Sequence, residues 1–210
     1  MGDGAEMRQA RKQRAPAAER NITPILDVLS AHLPASGSAL EIASGTGQHV
    51  AAFAGTFSNL IWTPSDPNPD ARASTAAWVE DSGSENLNHP LDIDVAASEW
   101  PNPVEGPIDV ILAINLLHIA PWRVAEGLLA GAAELLAPQG MVYLYGPYRR
   151  GGAHIAESNA RFESWLLEQN PEWGVRDLEK VEQEGARHGL QLEHVIAMPA
   201  NNFSLILRKS

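Results

Sequence analysis

The segment Leu40-Glu41-Ile42-Ala43-Ser44-Gly45-Thr46-Gly47 constrains this chain most. A short apolar run leads straight into two glycines, and residues 48–57 follow with helical character. Such a run predicts a strand that ends in a tight turn and opens a helix. Glycines let the backbone turn with no Cβ in the way. The first turn of the next helix leaves N–H groups free for a ligand. The alternation continues along the chain. Residues 60–63 predict a second strand, closed by Pro64-Ser65-Asp66-Pro67, and residues 70–80 a helix. Residues 91–95, 108–114 and 141–145 predict strands three, four and five, with a helix over 122–136. Helices over 155–169 and 176–188 lead to strands over 190–198 and 203–208. Strands alternating with helices imply a parallel sheet with right-handed crossovers and helices on both faces. Only Pro199-Ala200-Asn201-Asn202 joins the last two strands, and so short a link permits only an antiparallel hairpin. The expected fold is therefore α/β, a seven-stranded, mostly parallel sheet with a C-terminal antiparallel hairpin.

Ahead of strand one, residues 1–19 predict a flexible arm made locally basic by Arg8, Arg11, Lys12 and Arg14. Thr23-Pro24 then predicts a helix start, with an N-cap followed by a proline at N1. Residues 20–210 fit one domain. The formal net charge is −11, so phosphate-rich partners and anionic membrane surfaces are repelled. A small-molecule partner is expected, with no nucleic acid and no membrane. The chain has no cysteine, which excludes thiolate metal sites and a cysteine nucleophile. No apolar run has membrane-spanning length and no signal-peptide core opens the chain, so a cytoplasmic location is expected. The oligomeric state is not readable from these features.

A dinucleotide loop requires G-x-G-x-x-G. Here Gly45-Thr46-Gly47-Gln48-His49 runs into Val50, and the third glycine is missing. Glu41 stands inside the strand just before the turn. An acid there suits a cationic sulfonium and its amino-acid tail better than a pyrophosphate, which points to S-adenosylmethionine (SAM). Glu41, Ala43, Ser44, Gly45, Gly47 and Gln48 are the candidate residues of that loop. Asp66 ends strand two, 19 residues beyond Gly47, where a carboxylate can accept from both ribose hydroxyls. Asp94, preferred over its neighbour Asp92, could accept the adenine amino group.

Asn115-Leu116-Leu117-His118-Ile119-Ala120-Pro121-Trp122 follows strand four, at the carboxyl end that faces the crevice in open α/β sheets. Asn115 is a candidate for the cofactor and His118 for a general base. Tyr145-Gly146-Pro147-Tyr148 follows strand five, where tyrosines offer an aromatic wall. His118 and Tyr145 are the candidate catalytic side chains. Candidate acceptor-binding residues are His118, Trp122, Tyr145, Tyr148, Asn159, Trp173, Asn201 and Asn202, with Trp173-Gly174-Val175-Arg176 as a possible cover. No metal-ligand spacing, G-x-S-x-G elbow or P-loop is present, and no metal is expected.

These segments resemble domain-of-unknown-function family 938, the methyltransferase-like protein 26 family. The resemblance rests on Pro16-Ala17-Ala18-Glu19-Arg20-Asn21, residues 40–49, Trp62-Thr63-Pro64-Ser65-Asp66, residues 114–122, Tyr145-Gly146-Pro147-Tyr148, Trp173-Gly174-Val175-Arg176-Asp177 and Met198-Pro199-Ala200-Asn201-Asn202. It implies a Rossmann-like class I SAM-dependent methyltransferase and leaves the methyl acceptor open. It also brings in Arg20 and Asn21, at the end of the arm, as cofactor-binding candidates. Arg20 could pair with the SAM carboxylate. Ala43 takes the place of the first loop glycine of many class I enzymes. Two other readings share these residues: a non-catalytic SAM-binding or adaptor protein with the same fold, and an NAD-dependent oxidoreductase, against which the missing glycine argues.

Overall fold

The computed structural model describes residues 12–210. Arg8 and Arg11 of the basic arm lie outside that range. The chain forms two compact units, one ending at Asp94 and the other comprising Val95–Ser210.

In the first unit, helix α1 spans Pro16–His32, followed by β1 (Gly37–Ile42), α2 (Gln48–Thr56), β2 (Leu60–Pro64) and α3 (Pro69–Ser82). Helix α1 begins at Pro16, earlier than the expected start at Thr23-Pro24, and Pro24 lies inside it. The proline at N1 and Glu19 in the first turn suit the helix start. Ala18, Asn21, Ile25 and Leu29 then form one buried stripe at helical spacing. Packing of that stripe outweighs the hydrogen bond that Pro24 removes. The segment ahead of α1 is also held. Gln13 N–H donates to Ser74 Oγ at 2.9 Å, and Ala15 N–H to Gln48 Oε1 at 2.6 Å.

Strands β1 and β2 pair in parallel, with Leu40 opposite Thr63 and Glu41 opposite Pro64. Phe53 of α2 packs on Trp62 of β2, with ring centroids 5.4 Å apart, and both are fully buried. Helix α3 is capped by Asn68, whose side chain accepts from the N–H groups of Asp70 and Ala71, and it ends at Gly83 with φ 60°. The third expected strand does not form. Residues 91–95 contribute a single bridge, Ser65 to Leu91, and then run on as loop. The segment is too short and too polar, with Asp92 and Asp94 exposed, to sustain a ladder.

The second unit holds β3 (Ile108–Ile114), a 3-10 turn (Leu117–Ile119), α4 (Trp122–Leu135) and β4 (Leu136–Gly146). A small sheet follows, with β5 (Tyr148–Arg150), β6 (Ala153–His154) and, after α5 (Glu157–Gln169), β7 (Arg176–Asp177). Helix α6 (Leu178–Arg187), β8 (Leu190–Met198) and β9 (Asn202–Lys209) close the chain. β3 and β4 are parallel, while β4–β9 and β9–β8 are antiparallel. The C-terminal hairpin is therefore as expected. Among the described residues, six principal strands replace the expected seven, two in the first unit and four in the second. β4 starts earlier than the expected residues 141–145. The Pro138-Gln139-Gly140 turn is absorbed as an irregularity in its pairing with β3, with Gln139 at φ 66°. β8 ends the strand order and carries a register shift between Leu192 and His194. The three-stranded sheet β6-β5-β7 was not anticipated, although its Gly151-Gly152 turn has positive φ at both residues, as a tight hairpin requires.

Helix α4 lies unusually close to the segment that opens this unit. Trp100 Nε1–H donates to Gly127 O at 2.9 Å, and a Cβ on Gly131 would meet the Trp100 ring at 2.3 Å. Gly131→Ala should therefore destabilise the protein by about 1–3 kcal/mol through overpacking. Urea denaturation followed by far-UV circular dichroism checks this, and an unchanged midpoint would contradict the close approach.

Candidate functional site

The first unit builds a cluster around the turn that leaves β1. Ala43 has φ 55° and Gly45 φ 56°, so the chain turns through left-handed conformations that glycine adopts most readily. Ser44 N–H donates to Ser65 O at 2.8 Å, and Ser65 Oγ–H to Glu41 O at 2.8 Å. These bonds tie the end of β1 to the end of β2. Asp66 completes the tie. Its Oδ2 accepts from Gly45 N–H at 2.9 Å, and its Oδ1 from Asn68 N–H at 2.9 Å. Each oxygen keeps a further lone pair. From α3, Ser74 Oγ–H donates to Thr46 O at 2.8 Å and Thr75 Oγ1–H to Gly45 O at 3.3 Å.

The two glycines do different work. A Cβ on Gly47, where φ is 86°, would sit 2.7 Å from Thr75 Cα, so this glycine lets α3 approach. A Cβ on Gly45 would meet nothing within 4 Å, so this residue faces open space. Glu41 is only 1% exposed, and its Oε2 has no hydrogen-bond partner. Burial pushes its carboxyl up to about 8, with the Asp66 charge adding to the effect and Ser44 opposing it.

Other expected cofactor residues sit differently. Gln48 is buried, and its Oε1 accepts from Ala15 N–H and, at 3.1 Å, from Thr46 Oγ1–H, so it fastens the N-terminal segment to the loop. Asn21 is buried with His49, Oδ1 to Nε2 at 2.6 Å. His49 is held neutral by burial, down to about 4. Arg20 and Asp94 are exposed. The rival Asp92 pairs with Arg72 at 2.9 Å.

The second unit has its own cluster. Asn115 ends β3 at φ 57°, and its N–H donates to Tyr145 O at 2.8 Å. His118 lies in the 3-10 turn, 6% exposed, with its ring edge-on to Phe162 at 5.5 Å. A Cβ on Gly146 would stand 3.3 Å from His118 Nδ1 and 3.9 Å from Asn115 Oδ1, so the glycine makes room for both. Burial, and then the Arg176 guanidinium, lower the imidazole to about 4. His118 is therefore neutral at physiological pH, the form that can accept a proton.

Tyr145 meets this cluster through its main-chain carbonyl, and its side chain is nearly as buried as that of Tyr148, so it forms no accessible aromatic wall. Tyr148 is 2% exposed and belongs to the core, where burial raises its phenol well above the usual range. The structure thus does not place Tyr148 in an accessible aromatic wall. Trp122 is half-buried with Lys180 over its ring at 4.2 Å, and Trp173 is half-buried. Asn159 and Asn201 come together, Asn159 Nδ2–H donating to Asn201 O at 3.0 Å. Asn202 instead donates to Pro199 O within its own turn. Sequence reasoning missed Phe162, and it treated Arg176 only as part of a cover. The signal for Arg176 was the turn itself, whose carbonyls need donors from elsewhere.

Solved structures share the fold. An O-methyltransferase family protein from Burkholderia thailandensis is 18% identical, with a TM-score of 0.78 covering 97% of this chain and 59% of that one. CalO1, a methyltransferase in calicheamicin biosynthesis solved in its SAH-bound form, is 14% identical, with a TM-score of 0.72 covering 92% and 54%. An O-methyltransferase family 2 protein from Planctomyces limnophilus, solved with apigenin, is 18% identical, with a TM-score of 0.72 covering 94% and 62%. This chain therefore spans between 54% and 62% of the length of these proteins. The fold they define is the α/β fold of class I methyltransferases. Within it, the chain belongs to the DUF938 family, described as proteins of unknown function, whose model matches residues 12–209.

The raised Glu41 pKa has a consequence for stability. The folded state keeps this proton up to about 8, whereas the unfolded carboxyl loses it near 4.5. The unfolded state therefore binds fewer protons between these values, and stability falls as pH rises through that window. Glu41→Gln should flatten the fall. Melting temperatures measured from pH 5 to 8 check this, and parallel wild-type and variant curves would contradict it.

Proposed function

We propose that this chain is a SAM-dependent methyltransferase that passes a methyl group to a small-molecule acceptor by in-line displacement. One observation carries the reading: the buried Glu41 carboxyl, with its unpartnered Oε2, stands before a glycine turn whose Gly45 faces open space. A buried carboxyl with one unpartnered oxygen beside an open turn leaves a polar group for a ligand to meet, and the ammonium of an amino-acid tail would draw that carboxyl back to its charged form. The names of the fold relatives, and the SAH bound to one of them, support the same reading.

Glu41, Ala43, Ser44, Gly45 and Asp66 would hold the cofactor. Asp66 accepts the ribose hydroxyls on its remaining lone pairs. Asp94 is assigned to the adenosine, and Arg20 to the carboxylate tail. SAM, when bound, supplies a methyl group already activated on a sulfonium. The protein therefore contributes orientation and exclusion of water. His118 acts on the acceptor. Its neutral imidazole takes the proton from an oxygen or nitrogen nucleophile. Because burial keeps the ring neutral down to about 4, its contribution stays constant from pH 5 to 8. The acidic chain fits an uncharged or cationic acceptor, and no nucleic acid or membrane partner is assigned.

Isothermal titration with SAM, SAH and NAD tests the cofactor. SAM and SAH should bind and NAD should not; binding of NAD alone would overturn the reading. A SAM-consumption screen across thiols, amines, phenols and carboxylates then seeks the acceptor. SAH binding with no turnover in any class would favour the non-catalytic alternative. With an oxygen or nitrogen acceptor, His118→Ala should cut kcat by about 10²–10⁴-fold and leave SAH affinity unchanged. Unchanged turnover would remove His118 from the mechanism.

A further inference from the structure

The turn that carries His118 is unusual in where its backbone bonds go. A three-residue 3-10 turn cannot satisfy its own last carbonyls. Here the partners come from residues 174–176, more than fifty positions later in the chain. Arg176 Nε–H donates to Leu117 O at 2.9 Å, and its Nη2–H donates to Ala120 O. Gly174 N–H donates to His118 O at 3.0 Å. The carbonyls immediately before, at and two residues after His118 are therefore all held by one short strap.

Arg176 is itself fixed. It pairs with Tyr148 in the parallel ladder of β5 and β7, and its Nη2–H also donates to Glu172 O at 2.8 Å. Among the described residues its guanidinium makes no ion pair, and its hydrogen bonds go to main-chain oxygens. Neighbouring acids are engaged elsewhere. Arg149 of β5 bonds Asp177 at 3.1 Å, and His154 of β6 bonds Glu163 of α5 at 2.7 Å. An arginine fork is pre-organised for several acceptors at once, which a lysine is not.

We propose that Arg176 is a positioning residue for His118: by gripping the carbonyls on either side of the histidine, it fixes the direction of the imidazole. The catalytic meaning of this rests on the reading of His118 as the acceptor's base, while the grip itself does not. The ring is then bounded by Phe162 and by Gly146, whose missing Cβ leaves it room. The Arg176 charge acts directly on the imidazole, whereas Glu163 of α5 and Arg149 of β5 act on Arg176.

The test uses the full chain and reads His118 by its imidazole carbon-bound proton signal across pH. Arg176→Gln removes the charge and most of the fork but keeps one donor group, the amide NH2. Its His118 midpoint should rise by about one pH unit or more, and the signal should broaden as the ring samples several settings. Arg176→Lys keeps the charge, so its midpoint should stay within a few tenths of the wild-type value while the broadening persists. An unchanged midpoint and a sharp signal in Arg176→Gln would overturn the proposal. Equal midpoint shifts in both variants would do the same, since general loosening treats them alike. A second readout needs no variant. The wild-type Arg176 Nε–H should exchange with solvent at least about tenfold more slowly than that of the exposed Arg161, and equal rates would also overturn the grip. SAH titration of the wild type separates this result from the cofactor reading. Absence of SAH binding would sink the methyltransferase proposal and leave the His118 readouts to decide the role of Arg176.

Discussion

Both candidate clusters depend on a strand that ends by reversing the sense of its backbone. Ala43 after β1 and Asn115 after β3 both adopt left-handed conformations, with φ 55° and 57°. For alanine this costs on the order of 1 kcal/mol, while asparagine tolerates it better. Hydrogen bonds made at the same point offset the cost. Ser44 and Gly45 hand their N–H groups to Ser65 and Asp66, and Asn115 hands its own to Tyr145. The chain thus leaves each sheet without stranding a main-chain donor. The side chains just beyond, which carry the chemistry, inherit that fixed departure.

Burial acts on the two key ionisable groups in opposite senses with one result. It makes Glu41 hold its proton and makes His118 give its proton up, so both are uncharged near neutrality. Neither state is imposed by an ion pair. His118 also has a positive neighbour in Arg176, while Glu41 has a negative one in Asp66. Each neighbour reinforces what burial has begun. The unpartnered Glu41 oxygen is the cost of this arrangement in the first unit, and it is also the clearest sign that something polar belongs there.

Much of this was legible in the residues. The apolar run ending at Ala43 and the glycines after it define the first turn by local chemistry alone. The four-residue link at Pro199 dictates the closing hairpin by length. Other parts depend on partners distant in sequence. Asp66 lies just beyond β2, and its bond to Gly45 appears only when β1 and β2 lie side by side. Helix α1 overrides Pro24 because its buried stripe is settled by packing. Residues 91–95 look like a strand by composition, yet find one bridge. Tyr148 looks like a rim aromatic, yet it is a buried residue of β5; strands of two or three residues show no alternation to read. Arg176 was hidden because its role is written in the carbonyls of a turn far upstream.

The register shift in β8 bears on how the protein behaves in company. β8 ends its strand order, and the outer side of such a strand offers unpaired main-chain groups to any passing chain. Here the ladder breaks step between Leu192 and His194, and Glu193 at the break turns to Arg208 at 2.9 Å. The kink and the charge spoil the flat, regular rim that another strand would need. Sheet-to-sheet continuation through β8 is thereby disfavoured, and the border of the fold serves as a guard against aggregation.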